Sequence, residues 1–204
     1  MVPNTFLKPE YAYNLDLGID FRSLNNKNYI SLRGFSTIIS RHIGRDEYVV
    51  FSDITTPDLS TVIYNGEEVT TISNKNLGNR FIHGFSIDGF SQINNNLKFD
   101  YGITYTEGDN NETYGPLPSI SPLFGSIALS YSKRGVNLKA MYKFSEAKSP
   151  GEYSFGGEDG LDETPFTINS EGLLNYLGTP KWSDLSIYGS KNISSNVTLR
   201  IGLT

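Results

Sequence analysis

The alternation of apolar and polar residues constrains the fold of this chain more than any other feature of its sequence. In residues 11–22 every second side chain is apolar, and Asp16 and Asp20 lie between them. Successive side chains of a β-strand point to opposite faces, so this pattern predicts a strand with one apolar and one polar face. Seven more segments alternate similarly, although residues 29–39 have mixed faces. The eight predicted strands are residues 11–22, 29–39, 81–90, 97–106, 123–132, 136–145, 182–189 and 197–204.

The connections between the predicted strands are short and long in turn. The short ones, rich in Asn, Ser and Gly that tolerate left-handed backbone, lie at residues 23–28, 94–96, 133–135 and 194–196. The long ones are about residues 44–79, 108–121 and 146–181. Barrels of the bacterial outer membrane have short periplasmic turns and long extracellular loops, whereas a soluble sandwich has no reason to sort its loops this way. The pattern favours an all-β, antiparallel transmembrane barrel.

Composition supports this fold class and excludes several functions. The chain contains 13 Tyr, 12 Phe and 20 Gly, which is typical of an all-β protein. It contains no Cys, so disulfides, thiol nucleophiles and cysteine zinc sites are excluded. The net charge is −5 and no cluster of Lys or Arg occurs, which argues against nucleic acid as a partner. No apolar run approaches the roughly 20 residues of a spanning helix.

Five short blocks occur in a fixed order along the chain. They are NTFLKPE at residues 4–10, NRFIHGF at residues 79–85, PLPSISPLFG at residues 116–125, TPKWSDL at residues 179–185, and the strand at residues 192–204. In this order and spacing the blocks resemble the C-terminal half of TonB-dependent outer-membrane receptors, especially those of the Bacteroidetes type. Each block alone is weakly specific, but together they cover nearly the whole chain.

The resemblance implies a barrel of about 22 strands with a plugged lumen, of which residues 1–204 supply about eight strands. We therefore expect residues 1–204 to be a partial barrel domain. The plug, the first half of the barrel, the closing hairpin and the secretory signal are expected to lie elsewhere. Eight strands of so wide an arc are expected to leave two unpaired edges.

The resemblance also implies a function. The whole protein would reside in the bacterial outer membrane and take up a scarce nutrient, namely an iron-siderophore, haem, cobalamin or a glycan. Its partners would be outer-membrane lipid, the small-molecule or metal-chelate substrate, and TonB with its inner-membrane complex, which would act through the plug. No enzymatic activity and no cofactor are expected, and the 204 residues alone are expected to transport nothing.

The charges on the polar faces of the strands are predicted to face the barrel lumen. They would contact the plug or form ion pairs along the wall, although most are expected only to keep the lumen wet and the strands in register. These residues are Asp16, Asp20, Arg22, Lys98, Asp100, Lys139, Lys143 and Arg200.

Five residues in the long connections are candidates for contact with an extracellular ligand: His42, Tyr48, Tyr64, Glu158 and Asp159. The carboxylates at residues 158–163 lie beside glycines and could bind calcium, but their spacing does not match an EF-hand. A solvated acidic loop is the better interpretation. The aromatic residues could equally belong to a plain surface hairpin.

The two histidines, His42 and His83, are weak candidates for a metal or haem site. His83 lies on the apolar face of its predicted strand, which is typical of an interfacial aromatic residue. His83 and Asp88 could belong to a hydrolase triad, but nothing resembles a nucleophile elbow. No catalytic residue is therefore assigned.

Two other folds remain open at this point. A complete eight-stranded barrel predicts that the last strand pairs with the first. A soluble β-sandwich predicts that the apolar faces pack against each other in a core.

Overall fold

A computed structural model describes residues 1–49, 60–111, 115–155 and 159–204. Two short 3-10 turns lie at Pro150–Glu152 and Leu161–Glu163. Among the described residues, no helix has the length and apolar character needed to cross a membrane. The strands are β1 (Tyr11–Arg22), β2 (Asn28–Ser40), β3 (Ile43–Glu47), β4 (Thr61–Tyr64), β5 (Glu67–Thr70), β6 (Ile72–Asn76), β7 (Arg80–Asn94), β8 (Leu97–Gly108), β9 (Asn110–Asn111), β10 (Gly115–Pro116), β11 (Phe124–Lys133), β12 (Val136–Ser145), β13 (Phe166–Ile168), β14 (Leu174–Tyr176), β15 (Trp182–Asn192) and β16 (Thr198–Leu203).

The eight long strands form one antiparallel sheet, which we call the wall, in the order β1-β2-β7-β8-β11-β12-β15-β16. Wall strands that follow one another along the chain are hydrogen-bonded neighbours, as expected for an up-and-down barrel. These are the eight strands that the alternation predicts, and β1 and β12 match to the residue. Strand β7 extends to Asn94, beyond the predicted residue 90, because the ladder with β8 continues through a bulge between Gln92 and Asn94.

The wall is open in the described residues. Strand β1 pairs only with β2, and β16 pairs only with β15, so the first and last strands lie at opposite edges of the sheet. The complete eight-stranded barrel required these two strands to pair. That alternative is therefore wrong for this structure.

The apolar face of the wall is not covered by a second sheet in the described part of the chain. Large side chains on this face are exposed: the relative exposure is 68% at Leu17, 71% at Ile19 and 67% at Ile201. A soluble sandwich would bury such residues between two sheets about 10 Å apart. The sandwich alternative is therefore also wrong, and this face has the character of a surface that meets an apolar solvent.

Close packing within the wall depends on glycines that lie beside aromatic rings. A β carbon at Gly84 would collide with the backbone oxygen of Tyr105 and lie 2.7 Å from Cζ of Phe35. A β carbon at Gly125 would lie 2.9 Å from Cζ of Phe144. Only glycine leaves room for a ring to lie flat on the neighbouring strand at these positions.

The strands of the wall end at two opposite sides, which we call the short-turn edge and the loop edge, and these two sides differ in structure. At one edge, wall strands are joined by turns of two to five residues, at residues 23–27, 95–96, 134–135 and 193–197. At the other edge, the long connections carry two-stranded sheets of their own, which pair β3 with β6, β4 with β5, β9 with β10 and β13 with β14. The predicted division into short turns and long loops is confirmed.

Candidate functional site

The polar face of the wall is the largest candidate surface. Cross-strand register places seven residues, one of them a glycine, in one row from Asp20 on β1 through Asp88 on β7 and Lys143 on β12 to Asp184 on β15. Residues directly opposite each other in a ladder point to the same face. The same register puts the predicted lumen-facing residues on this face, and these are Asp16, Asp20, Arg22, Lys98, Asp100, Lys139, Lys143 and Arg200.

Near the short-turn edge, aromatic rings hold several of these charges. The hydroxyl of Tyr29 donates to Oδ1 of Asp20 at 2.9 Å, and Cζ of Arg22 lies 5.0 Å from the centroid of the Tyr29 ring. The ammonium of Lys98 pairs with Asp100 and lies 4.5 Å from the centroid of Phe90. These residues stabilise one another, because ring faces attract cations and the ladder places the cross-strand partners directly or diagonally opposite.

Three cations on the polar face remain unpaired. Lys139, Lys143 and Arg200 are exposed, and none has a carboxylate within ion-pair distance among the described residues. Asp184 is directly opposite Lys143 but accepts a hydrogen bond from Oγ of Ser186 at 2.8 Å. The β11 to β16 half of this face therefore presents positive charge to whatever lies in front of it.

Two adjoining hollows lie on the polar face. One is an open groove of about 720 Å³ between Arg22, Lys98 and Lys139. The other is a hollow of about 590 Å³, lined by Phe124, Lys143 and Trp182 among others. They share Asp88, Gly102 and Ser126, so they form one continuous surface that runs along the strands.

At the loop edge, His42 is buried and not directed outward. It is 8% exposed, and its Nδ1 lies 3.1 Å from Oε2 of Glu10. The same carboxylate oxygen accepts the backbone N–H of Ile43 at 2.7 Å. Glu10 therefore joins the segment before β1 to the start of β3, and His42 is part of that internal contact.

Asp159 is also used within the protein. Its side chain is 5% exposed and lies 3.0 Å from Nζ of Lys148. It accepts the backbone N–H groups of Ser119 and Ser154. The Lys148 ammonium lies 4.7 Å from the centroid of Tyr153. This cluster fastens the two later long connections together. Glu158 lies outside the described residues.

The two tyrosine candidates differ in exposure. Tyr48 is half-buried, and its backbone N–H donates to the carbonyl of Thr71 at 2.8 Å. Tyr64 is 66% exposed at the end of β4, beside the turn at Asn65 and Gly66. Of the described candidates for ligand contact, Tyr64 is the most accessible.

His83 lies on the apolar face with Phe81 and Phe85, and its Nε2 is 3.5 Å from Oε2 of Glu107. Asp88 lies on the opposite face, because it is five positions further along the strand and successive side chains point to opposite faces. The two cannot act together in a triad. The described residues include no group of three or more His, Asp or Glu that could hold a metal ion.

A buried ion pair at the loop edge is absent from the sequence predictions. Arg80, at the start of β7, is 1% exposed, and its Nε lies 3.0 Å from Oδ1 of Asp109. The Nη2 atom of Arg80 donates hydrogen bonds to the carbonyl oxygens of Asp109 at 2.9 Å and Gly115 at 2.7 Å. Sequence reasoning had no signal for it, because the partners are 29 residues apart.

The comparisons with known proteins agree with this architecture. The family model described as TonB-dependent receptor-like β-barrel matches residues 1–204. No curated protein gives a significant match.

Several solved structures are similar in fold. The siderophore receptor PirA from Acinetobacter baumannii is 18% identical with a TM-score of 0.65, and the match covers 96% of this chain and 27% of that one. A mutant of the ferric enterobactin receptor PfeA from Pseudomonas aeruginosa, in complex with enterobactin, is 16% identical with a TM-score of 0.66, covering 96% and 26%. The copper transporter OprC is 16% identical with a TM-score of 0.61, covering 96% and 25%.

The chain thus spans about a quarter of the length of these structures. At such low identities the likeness shows the fold. The matched family consists of receptors and transporters of the bacterial outer membrane and not of enzymes. The apolar face of the wall is therefore the face of an outer-membrane barrel, and the chain belongs to the family of TonB-dependent receptor-like β-barrels.

Proposed function

We propose that residues 1–204 form part of the wall of a larger barrel that takes up a scarce nutrient across the outer membrane, energised through TonB. The observation that carries this proposal is the open wall with one apolar face and one charged face. A sheet with two unpaired edges needs further strands to close in lipid, where every backbone polar group must find a partner. The similar structures are about four times as long as this chain, so a full-length protein of that size would have the residues for further strands.

In this proposal the polar face lines the lumen and meets a plug. The unpaired cations Lys139, Lys143 and Arg200 support it, because charges facing a protein-filled lumen gain a partner only when that protein is present. Asp16 and Asp88 likewise have no ion-pair partner among the described residues. The wall thus carries charges of both signs for an interior partner.

The substrate is a small molecule or a metal chelate. Support comes from the similar structures, which are siderophore and ferric enterobactin receptors and a copper transporter. The substrate classes in this proposal are an iron-siderophore, haem, cobalamin or a glycan. Tyr64 is the candidate for first contact from outside, because aromatic side chains offer a large rigid surface to such ligands.

Uptake in a bacterium that encodes the chain tests this function. Strains that lack the gene, lack TonB or lack both are grown with iron, haem, cobalamin, copper or a glycan as the limiting nutrient. We expect one nutrient to support growth only when the gene and TonB are both present, and the double deletion to be no worse than either single one. Equal growth of all strains on every nutrient would contradict the proposal.

A further inference from the structure

The short-turn edge carries a charge opposite to that of the loop edge. The long connections at residues 41–79, 109–123 and 146–181 contain fifteen acidic and five basic residues. The short turns at residues 23–27, 95–96, 134–135 and 193–197 contain two basic residues and no acidic one. Basic residues at one membrane surface indicate attraction to anionic lipid there.

Three cations lie close together at this edge, and two of them are on the apolar face. Lys133 ends β11 opposite Val136, and Val136 lies opposite Lys191 on β15, so both lysines share the apolar face. Two strand spacings separate them, which is about 10 Å. Arg134 lies in the turn between them, and this turn is held against β15 by a hydrogen bond from the N–H of Asn192 to the carbonyl of Gly135 at 2.9 Å. All three cations are exposed.

The conformation of Arg134 is unusual for its residue type. It has φ of 50° and is followed by Gly135 with φ of 75°. Two-residue hairpin turns of this kind favour Asn or Gly at both positions, so arginine is not explained by the turn itself. The chain uses Asn at its other left-handed turn position on this edge, Asn26 with φ of 55°.

An apolar patch of Leu138, Gly189 and Ile201 lies next to the cations on the same face, and the side chains of Leu138 and Ile201 lean over Gly189. Gly189 stands between Leu138 and Ile201 on the apolar face, two residues from the row of Val136 and Lys191. A β carbon at Gly189 would lie 3.4 Å from Cδ2 of Leu138 and 3.2 Å from Cγ2 of Ile201. No Asp or Glu lies on the apolar face of β11, β12, β15 or β16. A phosphate group at this position would therefore contact cations without a competing carboxylate, and an acyl chain would contact apolar side chains.

We propose that Lys133, Arg134 and Lys191 bind the phosphate of an anionic glycerophospholipid in the periplasmic leaflet, with an acyl chain along the apolar patch of Leu138 and Ile201. The proposal rests on the proposed function and on the orientation of bacterial outer-membrane barrels, in which short turns face the periplasm. Arginine offers a planar fork to phosphate oxygens, and the two lysines supply point charges on either side.

Native mass spectrometry of the full-length receptor in detergent tests the site, with phosphatidylglycerol and phosphatidylcholine as probes. The test variant is Lys133→Gln, Arg134→Asn, Lys191→Gln, in which Asn suits the left-handed turn. The matched control is Lys139→Gln, Lys143→Gln, Arg200→Gln, which removes the same charge from the polar face. Heat-modifiable gel mobility checks that each variant is folded.

We expect the test variant to bind phosphatidylglycerol more weakly by about fivefold for each cation removed, with phosphatidylcholine unchanged. The control is expected to change by less than about twofold. If the triple variant does not fold, Arg134→Asn alone is expected to show the loss of about fivefold. Equal weakening in test and control, or none in either, would overturn the site. If glycerol 3-phosphate competes as well as the lipid, the acyl chain contributes nothing to binding, and its proposed contact with the apolar patch is overturned.

Orientation is tested separately, so that the two failures are distinguishable. A cysteine at Asn95, in another short turn, is expected to react with a membrane-impermeant maleimide only after the outer membrane is permeabilised. Labelling in intact cells would contradict the proposed orientation, whatever the lipid titration shows.

Discussion

Arg80 and Asp109 form an ion pair at the loop edge, with 3.0 Å between Nε and Oδ1, and the arginine is 1% exposed. The pair fixes the start of β7 to the connection that follows β8. Removing one partner of a buried ion pair is strongly destabilising, because the remaining charge stays out of water without a counter-charge.

We therefore predict that Asp109→Ala lowers the free energy of unfolding by about 3 kcal/mol. Urea unfolding of the detergent-folded protein, followed by tryptophan fluorescence, measures the loss. The control is Lys75→Met, which breaks the ion pair with Asp46, where the two side chains are 40% and 35% exposed. That change is expected to cost less than about 1 kcal/mol. Equal losses would show that burial at Arg80 has no energetic consequence.

A second prediction concerns the two faces of β1. Leu17→Arg places a charge on the lipid-facing side near the middle of the strand and is expected to cost about 2–4 kcal/mol. Asp16→Arg, on the other face, is expected to cost less than about 1 kcal/mol, since water or polar groups surround that side. Unfolding in lipid bilayers measures both. A larger loss for Asp16→Arg would reverse the assignment of the faces.

A third prediction concerns the fit between Gly84 and the ring of Phe35. Gly84→Ala is expected to lower stability by about 1–3 kcal/mol, because the new methyl group has no space between the ring and the neighbouring backbone. Gly34→Ala is the control, since the nearest atom to a β carbon there is 3.9 Å away. We expect Gly34→Ala to be neutral or slightly stabilising. Thermal unfolding monitored by gel mobility compares the two.

Much of the wall could be predicted from the sequence because its signal is local. Each of its strands is long enough for alternation to appear, and the short turns carry residues suited to left-handed backbone. Strands β3, β4, β5 and β6 in the first long connection are short, with about five residues or fewer, so they leave no readable period. The bounds of β7 were too short in the prediction because polar residues such as Gln92 continue the ladder beyond the apolar pattern.

The contacts at the loop edge could not be predicted from the sequence, for a different reason. His42 contacts Glu10 across 32 residues, whereas Asp159 pairs with Lys148 across 11 residues of one long connection and accepts the backbone N–H of Ser119 from another. Nothing in the local sequence shows that these polar side chains satisfy each other. The prediction that His42 and Asp159 contact a ligand is untested, and the structure shows that both already have internal partners.

A fourth prediction concerns Tyr64. If it contacts substrate, Tyr64→Ala is expected to raise the half-saturation concentration for uptake by about tenfold, as truncation of a tyrosine in a binding surface does. Stability should be unchanged, because the side chain is exposed. Ile63→Ala is the control, since Ile63 is 71% exposed on the other face of the same hairpin. Equal effects of the two changes would show that the hairpin, and not Tyr64, matters.

The central claim is that alternate residues of the wall face lipid and water. Residues 1–204 contain no Cys, so single Cys substitutions at positions 15–20 of β1 can carry spin labels in the full-length protein in bilayers, once any Cys elsewhere in that protein is replaced by Ser. Collision rates with oxygen, which partitions into lipid, and with a water-soluble nickel chelate are then measured. We expect labels at positions 15, 17 and 19 to collide mainly with oxygen. Labels at positions 16, 18 and 20 are expected to collide less with oxygen and more with the chelate. Rates that do not alternate with a period of two would contradict this claim.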